Sequence, residues 1–119
     1  MRTQGKLGWL LAASVLLSTA ALAADDAKLV RMWNGKCGSC HGADGKGKTK
    51  QGAKMGIGDI TDPAWQKEWT DEKIREVAMK GFSRVKNGKQ QDMEAMGKEM
   101  EPAQLDAMIK YLRVLAAKR

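Results

Sequence analysis

The chain has 119 residues, a formal charge of +7, 5% aromatic residues, two cysteines and one histidine. That is enough for one small domain whose own apolar filling is thin, a size at which folds commonly need a staple beyond the hydrophobic core. The basic residues do not form a stripe with interleaved aromatics, which argues against a nucleic-acid surface.

The first stretch reads as a targeting segment. Arg2 and Lys6 precede an apolar run from Leu7 to Leu17, and small residues lead to Ala21-Leu22-Ala23. Charge, length and exit site are those of a Sec-type signal peptide. The run is shorter than the ~20 apolar residues a membrane span needs, and an uncleaved leader is the other reading. Cleavage is expected after Ala23, giving residues 1–23 as leader and 24–119 as one exported domain of formal charge +5.

Asp25 and Asp26 suit the N-terminus of a helix over Ala27 to Lys36, along which Leu29, Met32 and Trp33 form an apolar stripe and which runs straight into Cys37. Residues 42–61 are rich in glycine and lysine, show no periodicity, and read as a long loop. Asp62-Pro63 reads as N-cap and first residue of a short helix carrying Trp65 and Trp69. Thr70-Asp71-Glu72 starts another helix, with Ile74, Val77 and Ala78 inward and Gly81 as its stop. Residues 82–99 are polar, with a turn at Asn87-Gly88. Glu101-Pro102 opens a last helix bearing Leu105, Met108, Ile109, Leu112 and Leu115. Nothing alternates as a strand would, so an all-α fold of about four helices is expected.

Between the first helix and the loop lies Cys37-Gly38-Ser39-Cys40-His41. Two thiols three positions apart share one helical turn, and each can add to a porphyrin vinyl group. The histidine after them can then bind iron, and C-x-x-C-H is the mark of c-type haem attachment. In an oxidising compartment the pair could instead form a disulfide. A redox-active dithiol would want a βαβ setting, which is missing, and zinc would want further His or Cys ligands. The only histidine stands where haem needs it and where neither cysteine-only reading requires it. A haem would also supply the missing apolar core.

Residues 25–116 resemble a small monohaem class I cytochrome c of bacterial, periplasmic type. The resemblance rests on Cys37 to Gly47, on Trp69-Thr70-Asp71-Glu72-Lys73-Ile74-Arg75 running to Gly81, and on Leu105 to Leu115 with Tyr111. It implies a class I cytochrome c-like fold: helices and Gly/Lys-rich loops around one covalent haem c, with the terminal helices crossing at Trp33 and Tyr111. It also implies iron held by His41 and by a methionine in the loop before the last helix. Met93 falls on that position, with Glu94 where the family usually has proline. Met96 is the alternative, and Met100 and Met55 are further candidates. Trp69 matches a position that can contact a haem propionate. In this reading a backbone carbonyl in the Gly52–Gly58 loop orients His41.

The function this implies is a periplasmic, monomeric, one-electron carrier that is not an enzyme. Its partners would be redox donor and acceptor proteins with acidic docking surfaces for Lys46, Lys48, Lys50, Lys54, Lys86, Lys89 and Lys98. It would meet a membrane only through such partners. The alternatives are a haem-based sensor with a displaceable sixth ligand and a small subunit of a membrane oxidoreductase complex.

Overall fold

A computed structural model describes residues 26–119; the expected leader over 1–23 and the cap at Asp25 lie outside them. Helix α1 (26–36) carries Trp33 inward, 4% exposed, with Leu29 and Met32 packed beside it. After a turn at Cys37 comes α2 (Gly38–His41). Helical bonding continues through that turn, since Cys37 N–H donates to Trp33 O at 2.8 Å and His41 N–H to Cys37 O at 2.9 Å. The first helix therefore delivers both cysteines and the histidine on one turn at its C-terminal end.

The stretch expected to be a continuous loop contains a helix, α3 (Lys50–Met55). Thr49 caps it by accepting from Gly52 N–H, and Gly56, at φ +63°, ends it in the left-handed region. Six residues are too few for periodicity to show, and a glycine inside them masked the pattern. Helices α4 (Pro63–Glu68) and α5 (Asp71–Lys80) follow as expected, capped by Asp62 and Thr70. Gly81 closes α5, and its N–H donates to Val77 O.

Residues 82–93 correct the all-α expectation. They form an antiparallel hairpin, β1 (Phe82–Lys86) and β2 (Lys89–Met93), in register from Phe82↔Met93 to Lys86↔Lys89. Asn87 and Gly88, both at positive φ, make the two-residue turn, the geometry that matches strand twist. The last helix, α6 (Pro102–Ala117), opens on a capping box between Glu101 and Gln104. There are thus six helices and two strands among the described residues, against the four helices expected.

Helix α6 is the spine of the core. Met108 and Leu112 pack with Trp33, Ile60 and Met100, while Leu105 and Ile109 pack with Ala78. Burying each such side chain contributes roughly 1.5–3 kcal/mol. The terminal helices meet where the Trp33 and Tyr111 rings lie 5.8 Å apart, tilted by 59°. Arg113 fastens α6 to the α4–α5 junction, donating to Gln66 Oε1 and Trp69 O at 2.7 Å and to Asp71. No helix among the described residues is long and apolar enough to cross a membrane.

Candidate functional site

Cys37 and Cys40 are free thiols on the turn that joins α1 to α2. Burial, then the neighbouring Cys40, pushes the Cys37 thiol up to about 11. A redox-active dithiol needs the opposite shift, because the thiolate is its nucleophile. Cys37 is therefore poorly suited to act as the attacking thiolate.

The His41 imidazole is mostly buried, and burial lowers its pKa. It is neutral at pH 7, the form that ligates a metal. Its Nδ1 is buried with no hydrogen-bond partner, and an orphaned polar atom of this kind costs about 1–3 kcal/mol. The expected carbonyl from the Gly52–Gly58 loop does not reach it. Four of the carbonyls of that loop are engaged elsewhere: Gly52 O accepts from Ile57 N–H, Ala53 O from Lys89 Nζ, and Met55 O and Gly56 O from Gln91 Nε2. A short helix must have its terminal carbonyls capped, and here that need takes up those of Gly52, Ala53, Met55 and Gly56.

The backbone of the site is held from several sides. The Trp33 indole N–H donates to Gly42 O at 2.9 Å, the Thr49 hydroxyl to Cys40 O at 2.8 Å, and Gly47 N–H to His41 O at 2.7 Å. These contacts bring the glycine-rich segment against the cysteine turn. Gly52 shows how close: a Cβ there would lie 2.7 Å from Cys40 O, and Gly52 itself is buried. Sequence reasoning singled out neither Thr49 nor the second role of Trp33. The one available signal was a threonine immediately before a short run without proline.

The candidate methionines lie in different surroundings. Met100, 6% exposed, sits in the core with Trp33 and Leu112, and Met96 packs on the edge of the same cluster. Met55 is buried at the end of α3. Met93 ends β2, half-buried against Ala78, Leu105 and Ile109, with Glu94 exposed beside it. Trp69 is half-buried and stacked on Trp65, ring centroids 5.4 Å apart and planes within 9°.

Two free thiols and a neutral imidazole with an unsatisfied nitrogen, all on one turn, fit a covalently attached haem. The thiols would take the porphyrin and the imidazole its iron. Comparison with known proteins agrees. The cytochrome c family profile matches residues 27–116. Among solved structures, the fold is similar to the KustC0563 c-type cytochrome, with a TM-score of 0.59 and 24% identity over 72% of this chain and 94% of that one. No curated protein matches. With nearly all the described residues inside the family match, the chain belongs to the cytochrome c family, whose cofactor is covalently bound haem c with its iron.

Proposed function

We propose that the protein is a soluble periplasmic carrier of single electrons, a monohaem class I cytochrome in which His41 and Met93 supply the two axial ligands. The observation that carries this reading is the buried, neutral His41 with its orphaned nitrogen, beside two thiols on the same turn. When bound, a haem with both axial positions filled supplies an iron that changes charge with little change in geometry, and a thioether ligand raises its potential. The chain's own residues attach it, orient it and shield it. Cys37 and Cys40 provide the thioethers, and Trp33, Thr49 and Gly47 fix the carbonyls around them.

Met93 is preferred as sixth ligand because it is half-buried at a strand end, whereas Met100 and Met55 are committed to packing. Trp69 is proposed to donate to a haem propionate, held in place by its stack on Trp65. Lys46, Lys48, Lys50, Lys54, Lys86, Lys89 and Lys98 form no ion pair among the described residues. They are proposed to steer the protein, as a monomer, to acidic surfaces of its redox partners, and it would meet membranes only through them. The exported protein then begins at Ala24, which its intact mass checks.

Absorption spectra test the assignment. A methionine–iron charge-transfer band in the ferric protein, and no CO uptake by the ferrous one, are expected. Met93→Ala removes the band and Met96→Ala keeps it. CO uptake by the unaltered protein would favour the sensor reading instead.

A further inference from the structure

The hairpin is solvent-exposed along both strands except at its half-buried base, Phe82 and Met93, and at one buried polar residue. Gln91 is 7% exposed, while Lys89, Gln90 and Asp92 beside it are exposed. A buried amide is costly unless satisfied, and this one uses its capacity on both sides. Its Nε2 donates to Met55 O at 3.0 Å and to Gly56 O at 2.9 Å, and its Oε1 accepts from Arg84 Nε at 2.8 Å. Two residues earlier on β2, Lys89 Nζ donates to Ala53 O at 2.9 Å. The last carbonyls of α3 run short of backbone donors: Ala53 O takes Gly56 N–H at 3.3 Å as well as Lys89, while Met55 O and Gly56 O are capped by Gln91 of the hairpin.

Residues two apart on a strand share a face. Lys89, Gln91 and Met93 therefore lie on one face of β2: the first two hold α3, and the third is the methionine assigned to the iron. At its other end α3 is tied to the attachment turn, since its N-cap Thr49 donates to Cys40 O. A hydrogen-bonded path thus runs from Cys40 through Thr49, α3 and Gln91 to the strand that presents Met93. It bypasses the intervening chain of α4 and α5.

We propose that Gln91, with Lys89, is a positioning residue for the sixth ligand: by clamping β2 to α3 it sets Met93 relative to the turn that carries Cys37, Cys40 and His41. This rests on the assignment of Met93. If Gln91 served only as a cap for α3, its loss would lower stability and leave the iron–methionine bond unchanged.

The test uses the holoprotein, with the ferric charge-transfer band and a titration with imidazole as competing ligand. Gln91→Leu is expected to weaken the band and raise the apparent imidazole affinity by about tenfold, the size of one lost buried hydrogen bond. Lys89→Met is expected to raise that affinity by roughly threefold, and Lys89→Arg, which keeps a donor, to behave as the unaltered protein. Asp92→Ala, on the opposite face, removes the bond with Ser83 and is expected to lower hairpin stability with no change in imidazole affinity. Unaltered band and affinity in Gln91→Leu, or equal changes in Asp92→Ala and Gln91→Leu, overturn the proposal. If Gln91→Leu does not yield holoprotein, the contrast between Lys89→Met and Lys89→Arg decides, and equal affinities in the two overturn it. Retention of the band in Met93→Ala defeats the ligand assignment itself. Its loss there with no effect in Gln91→Leu defeats only the clamp.

Discussion

Thr49 uses one hydroxyl twice, accepting from Gly52 N–H and donating to Cys40 O, both at 2.8 Å. Thr49→Val keeps the shape and removes both bonds, so holoprotein stability should fall by about 2 kcal/mol in denaturant titration. Gly52→Ala should cost more, since the added methyl meets the backbone carbonyls of Gly47 and Cys40, which cannot swing aside; a loss of about 3 kcal/mol is expected. Trp33→Phe retains the ring beside Tyr111 and leaves Gly42 O with the Gly45 N–H alone, so about 1 kcal/mol should be lost. At this scale the sequence was an uneven guide. Cys37, Cys40 and His41 announce themselves through side-chain chemistry at fixed spacing, and the Trp33–Tyr111 contact follows from family position. The bonds of Thr49 and Trp33 to carbonyls depend on how two segments approach each other, and no residue pattern encodes that.

Among the elements, those with strong boundary chemistry were legible and those without a buried face were not. Asp62-Pro63, Thr70, Gly81 and Glu101-Pro102 mark the ends of α4, α5 and α6 in the sequence as in the structure. The hairpin pairs Ser83 with Asp92, Arg84 with Gln91 and Val85 with Gln90. Its strands are almost wholly exposed, Val85 to 69%. With no apolar face there is no alternation of period two to detect. Asn87-Gly88 was the remaining hairpin signal, and read alone it gave only a turn. Gly88 sits at φ +74° with open space around the position a Cβ would take. Gly88→Ala should therefore weaken the hairpin through backbone strain alone, by about 1 kcal/mol, with faster amide hydrogen exchange in β1 and β2 and little change elsewhere.

For the whole molecule, charge decides two behaviours. If the lysines of α3, the hairpin and the preceding loop steer docking, electron transfer with an acidic partner should slow steeply between low and physiological salt, because screening at 0.15 M acts over about 8 Å. Rates insensitive to salt would remove that idea. The acidic groups set the response to pH. Burial alone would raise the Asp59 carboxyl, but hydrogen bonds from Thr61, with Arg119 and Lys46 nearby, hold it below its usual range. Ser83 and Gln90 do the same for Asp92, and Lys36 for Glu99. Each binds fewer protons in the folded chain than in the unfolded one. Their contribution is therefore complete above the ordinary carboxylate range of about 4 and is lost as pH falls through the lowered folded values. Denaturation midpoints across that range should show the decline, and Asp59→Asn should make it shallower. The crossing of the terminal helices has its own consequence for how the chain can vary in length. Trp33 and Tyr111 meet although they stand 78 positions apart, so one closed loop holds most of the domain. The entropy of closing a loop grows only with the logarithm of its length, so ten extra residues would cost this outer loop about 0.1 kcal/mol, whereas at the hairpin tip they would stretch the two-residue turn between Lys86 and Lys89 to twelve and cost about 1.6 kcal/mol there. Insertions are therefore felt by the short turn they enlarge, and hardly at all by the crossing of the ends.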